Sequence, residues 1–138
     1  MAISLKGKTV VICEDEGHTL MFLSRTLSRA GMKVLACVTD GRESIDHILR
    51  ERPDVVLMDI KLPNLEGIEA IRRILATYAT YRPCIIMITA YGDETHRRES
   101  AEAGANGFVD KPFGGKMILA EIRRVIESEE CGFASPEN

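Results

Sequence analysis

Val55-Val56-Leu57-Met58-Asp59-Ile60-Lys61-Leu62-Pro63 decides the fold of this chain. Four apolar residues run straight into a carboxylate, and a proline follows four positions later. A continuous run of this kind, bounded by Pro53 and Pro63, suits a strand covered on both faces; a strand with one wet face would alternate. Such a strand delivers Asp59 to its C-terminal end. In open parallel α/β sheets, ligands bind in the crevice beyond the strand ends. Taken alone, an Asp at a strand end reads more readily as a turn or helix-cap residue. The rest of the chain tips that balance.

Outward from Asp59, strand and helix patterns alternate. Lys8 to Cys13 is a short apolar run broken by Glu14-Asp15-Glu16, and Leu20, Leu23 and Leu27 then recur at helix spacing up to Ala30-Gly31. Met32 to Val38 reads as a second strand, and Asp40-Gly41 turns into a helix carrying Ile45, Ile48 and Leu49, stopped by Pro53. After the Asp59 strand comes a loop, then a helix with Ile68, Ile71 and Leu75 in register. Pro83 to Thr89 is the most apolar strand, whereas the helix over 93–103 is poorly amphipathic. Gly107 to Asp110 is a brief fifth strand, and a helix from Lys116 to about Ser128 turns Ile118, Leu119, Ile122 and Ile126 inward. Five strands connected by helices imply parallel crossovers and an α/β sheet. Residues 1–128 form one expected domain, and 129–138, which lack periodicity, an expected disordered tail.

Composition narrows the function classes. At 138 residues the chain is long enough for one domain with its own core. A net charge of −3 gives no basic footprint for nucleic acid, and no apolar run approaches the roughly 20 residues of a membrane span. No secretory h-region follows Met1, so a cytoplasmic protein is expected. Cys13, Cys37, Cys84 and Cys131 form no CxxC pair and read as small, reduced hydrophobes; Cys131, in the tail, would be reactive only if exposed.

In a parallel sheet the C-terminal strand ends share one edge. That edge collects Glu14 and Asp15 from the first strand, Asp59 from the third, Thr89 from the fourth and Lys111 from the fifth. Two carboxylates about 4 Å apart repel by roughly 4 kcal/mol at an effective dielectric of 20, so three need a counter-charge. Lys111 and a metal ion are the available ones. All-oxygen ligation without His or Cys calls for a hard divalent ion, Mg²⁺ foremost. Such a site reads as one where Asp59 accepts a phosphoryl group while metal and lysine neutralise its charge.

These residues resemble the receiver domains of bacterial two-component response regulators over about residues 7–128. The likeness rests on Glu14-Asp15, Asp59, Pro63 and Gly67, Thr89-Ala90 and Lys111-Pro112, with 44 residues from Asp15 to Asp59, 30 to Thr89 and 22 to Lys111. It implies a doubly wound, flavodoxin-like five-stranded sheet of order 2-1-3-4-5. It further implies Asp59 as phosphoacceptor, Asp15 as direct Mg²⁺ ligand, Glu14 acting through water, Asp59 as a further ligand and Lys61 lending its carbonyl. Thr89 and Lys111 would contact the phosphoryl oxygens, and Phe108 would be the switch aromatic.

Lys61 and Tyr91, two residues beyond Asp59 and Thr89, resemble the pair in free-standing phosphorelay receivers and imply a crowded approach for hydrolytic water. Asn106 and Gly107 stand where regulators that dimerise through their last two helices carry acidic residues, so a monomer or weak dimer is expected. Expected partners are a histidine kinase or histidine phosphotransfer protein and an unnamed downstream protein, with neither nucleic acid nor membrane. No separate substrate is expected to be turned over. A docking module, or a receiver excised from a larger regulator or hybrid kinase, is the alternative.

Other classes fit less well. A flavodoxin-like cofactor binder would want a Ser/Thr/Gly-rich phosphate loop where Glu14-Asp15-Glu16 stands, and a phosphohydrolase would want a general acid near position 61 and a capping insertion. His18 is expected to face solvent in a first helical turn, His47 and His96 to be solvated, and Arg97-Arg98 and Arg123-Arg124 to belong to wet helix faces.

Overall fold

The computed structural model describes residues 3–77, 80–90 and 92–128. Tyr91, Cys131 and the expected tail 129–138 lie outside the described residues. Ten elements alternate: β1 (Thr9–Cys13), α1 (Gly17–Arg29), β2 (Lys33–Val38), α2 (Gly41–Glu51), β3 (Val55–Asp59), α3 (Gly67–Thr77), β4 (Cys84–Thr89), α4 (Glu94–Ala103), β5 (Gly107–Asp110) and α5 (Gly115–Glu127). All pairings are parallel, in the order β2-β1-β3-β4-β5.

Every residue of β3 and β4 is buried, as a strand covered on both faces requires. Successive side chains leave opposite faces of the sheet, so one strand feeds two core layers. Val10, Ile12, Val55, Leu57, Ile86 and Ile88 meet α1 and α5 on one side. Val11, Cys13, Val56, Met58, Ile85 and Met87 meet α2 and α3 on the other. Deeply buried Tyr81, unremarked in the sequence, joins this second layer and donates to the Pro53 carbonyl at 2.8 Å.

Helix limits follow local chemistry. Glu16 caps α1 by accepting from His18 and Thr19 N–H, Asp40 caps α2 and Asp93 caps α4, while Gly104 ends α4 at φ +115°. Leu75 and Leu119 pack against the two core layers as their spacing predicts, while Ile74 and Val125, beside them on the same helices, are more deeply buried. One expectation about the core needs correction. Cys13 and Cys37 are free thiols, Cys37 being exposed, but Cys84 is disulfide-bonded, so reduced, buried cysteines do not describe all four.

Candidate functional site

The acidic residues converge because their strands are neighbours. Glu14 N–H bonds the Val38 carbonyl at 2.9 Å, carrying the β1–β2 ladder one residue past Cys13. Cys13 pairs in register with Met58, so Glu14 and Asp59 leave adjacent strands side by side. Glu14, Asp15 and Asp59 each offer a carboxylate oxygen, all within 4.8 Å of one another. Glu14 is fully buried and Asp59 nearly so, whereas Asp15 is exposed at the mouth. At that spacing two ionised carboxylates repel by about 3 kcal/mol at an effective dielectric of 20.

Lys111 supplies the first counter-charge. Its N–H bonds the Thr89 carbonyl at 2.8 Å, one step past the Thr89–Asp110 pair of the β4–β5 ladder. Its Nζ stands 2.8 Å from Glu14 Oε1 and 2.9 Å from Asp59 Oδ2. Burial alone would favour the neutral amine, but the two carboxylates outweigh it and hold the Lys111 pKa above its ordinary value. Burial likewise raises the Glu14 carboxyl, opposed by Lys111 and the Glu16 N–H and reinforced by the Asp59 charge. Glu14 Oε2 accepts from Glu16 N–H at 3.0 Å, while Oε1 has no well-directed hydrogen bond and relies on the Lys111 charge.

One ammonium against three carboxylates leaves the cluster negative. A hard divalent cation fits this donor set: the ligand atoms are oxygens, they already converge within 4.8 Å, and neither histidine nor cysteine is among them. Glu14, Asp15 and Asp59 would hold it. Thr89 is fully buried at the end of β4.

Phe108 lies half-buried in β5, packed against the second core layer. The Arg97 guanidinium sits 4.5 Å above its ring and 2.6 Å from Asp110 Oδ2. Asp110 in turn presses on the β4–α4 loop, since a Cβ at Gly92 would meet its Oδ1 at 1.5 Å. Arg97 is therefore more than the solvated residue expected; nothing local in the sequence pairs it with a carboxylate thirteen residues on. Lys61 Nζ is 3.3 Å from Glu66 Oε2, across the loop between β3 and α3. His18 is exposed, as expected, beside a groove shared with Phe22, Lys111 and Phe113. His47 bonds Arg50, and His96 Nδ1 lies 2.9 Å from the cap carboxylate Asp93, so neither is simply solvated.

The model of the response regulator receiver domain matches residues 10–123. The chemotaxis protein CheY of Thermotoga maritima is 33% identical over 119 residues, covering 86% of this chain and 98% of that protein. Among solved structures, the response regulator domain of Thermotoga maritima CheB superposes with a TM-score of 0.76 at 28% identity, covering 91% of this chain and 97% of the other. The BeF3-activated N-terminal receiver domain of Klebsiella pneumoniae RstA gives 0.77 at 25% identity, covering 86% and 97%. The chain belongs to the response regulator receiver domains of two-component signalling. Receiver domains are signalling modules, and the strand order of the sheet is theirs. No helix among the described residues is long and apolar enough to cross a membrane.

Proposed function

We propose that this receiver is a Mg²⁺-dependent phosphoacceptor that takes a phosphoryl group onto Asp59 in the cytoplasm from the phosphohistidine of a histidine kinase or histidine phosphotransfer protein. The observation that carries the reading is the Lys111 ammonium held between Glu14 and Asp59 inside an otherwise acidic group. An Asp59 oxygen attacks phosphorus, the bond to the donor's imidazole nitrogen breaks, and its electron pair stays on that nitrogen. When bound, Mg²⁺ would neutralise charge on the transferred oxygens. Lys111 exchanges its carboxylate contacts for a phosphoryl oxygen, and the buried Thr89 hydroxyl offers a second donor.

Phosphorylation adds close to two negative charges beside the ends of β4 and β5. The β4–α4 loop is expected to close toward them, and Phe108 to leave its place under Arg97 and turn inward. Inverting a 1:99 population requires about 5.5 kcal/mol of preference for the active state, which Lys111 and Thr89 can supply jointly but not singly. Output is contact with a downstream protein, as a relay intermediate or a switch of protein–protein contacts.

Incubation with Mg²⁺ and acetyl phosphate should add one acid-stable, hydroxylamine-labile phosphoryl group per chain. Chelation of the metal and Asp59→Asn should each abolish it. Undiminished labelling of Asp59→Asn sinks the assignment.

A further inference from the structure

Lys61 and Glu66 pair across the β3–α3 loop, Nζ to Oε2 at 3.3 Å, with both side chains about half exposed. The loop leaves neither end much freedom. Gly67 N–H bonds the Ile60 carbonyl at 2.8 Å. A Cβ at Gly67 would come 2.0 Å from the Asp59 carbonyl oxygen, so Glu66 is seated beside the backbone that carries Asp59. Farther out, Gly41 N–H donates to the Pro63 carbonyl at 3.0 Å, and the Asn64 amide donates to Asp40. These contacts fasten the loop to the start of α2. At its inner end Lys61 N–H bonds Asp59 Oδ1 at 3.3 Å. The ammonium of Lys61 is thus two residues from Asp59 and engaged by a carboxylate outside the acidic cluster.

We infer that Glu66 is a positioning residue that sets the lifetime of phosphorylated Asp59, by competing with the phosphoryl group for the Lys61 ammonium. This rests on the phosphoacceptor reading above. Lys61 cannot serve Glu66 and the phosphoryl oxygens equally, and its side chain starts between them. An exposed ion pair biases such a choice by only about 1.4- to 5-fold, so a dianionic phosphoryl group with three acceptor oxygens can contest it. The step at stake is hydrolysis. A water oxygen bonds to phosphorus, the phosphorus–Asp59 oxygen bond breaks with its electron pair left on the carboxylate, and the water protons depart on orthophosphate. With Lys61 over the phosphoryl group, the approach of that water is crowded; with Lys61 on Glu66, it is open. Glu66 therefore shortens the phosphorylated state.

The test follows decay of the phosphoryl group, after removal of acetyl phosphate, in wild type, Glu66→Gln, Lys61→Ala and the double variant, with melting curves to confirm that all four fold. Glu66→Gln should slow decay by about two- to fivefold. Lys61→Ala should quicken it, and the double variant should decay like Lys61→Ala. This dependence on Lys61 is what a merely structural role would not produce. Decay that is unchanged or faster in Glu66→Gln, or slowed equally with and without Lys61, overturns the role of Glu66 while leaving Asp59 as acceptor. Absence of any label on wild type defeats the acceptor reading and this one together.

Discussion

Helices α4 and α5 flank the same edge strand, yet different forces hold them. α5 buries Ile118, Ile122, Val125 and Ile126 against the sheet, and its N-cap, Gly114, makes no side-chain hydrogen bond. In α4 the sole buried residue is Ser100, whose hydroxyl has no hydrogen-bond partner. α4 is fastened instead by the Asp93 cap and by Arg97 on Asp110 and Phe108. Burying an aliphatic side chain is worth roughly 1.5–3 kcal/mol, whereas an exposed ion pair is worth about 0–1 kcal/mol. One side of the edge strand is thus anchored by apolar burial and the other latched by polar contacts that are cheap to exchange. The latched side holds Phe108 and adjoins Thr89 and Lys111, so movement there disturbs little of the core.

The widest gap between the helices should appear in core substitutions. Ile122→Ala should lower unfolding stability by about 2–5 kcal/mol, measured by urea titration. Ser100→Ala should leave stability unchanged or raise it by up to about 1 kcal/mol, because it removes an unsatisfied hydroxyl and adds helix propensity. A loss above about 1 kcal/mol in Ser100→Ala would show that α4 is held from within after all. A smaller effect is expected of Arg97→Ala. Loss of the half-exposed pair and the ring contact should cost about 0.5–1 kcal/mol, with the extra amide exchange confined to α4 and β5. Equal loosening of α5 would break the distinction between the two helices.

That contrast was half legible in the sequence. The poor amphipathicity of 93–103 and the strong stripe of α5 are visible in residue spacing, because a period of 3.6 reports directly on a buried face. The five polar residues of the site were legible for a related reason: uninterrupted apolar strands must end somewhere, and parallel strands end together. The Arg97–Asp110 and Lys61–Glu66 pairs were not. Each depends on how a loop closes, with Gly92 against Asp110 and Gly67 against the Asp59 carbonyl, and sequence spacing does not encode that closure. Exposed long side chains choose partners by small energies, so composition ranks them poorly.

The most direct test of a phosphoryl signal read through the latched side is amide hydrogen exchange followed by NMR, before and after phosphorylation of Asp59. Exchange and chemical shifts should change over Glu94–Ala103 and around Phe108 to Lys111, while Ile118 to Ile126 keep their protection. Changes confined to the loop after Asp59, with Thr89 to Lys111 unaltered, or changes in α5 as large as those in α4, would contradict it.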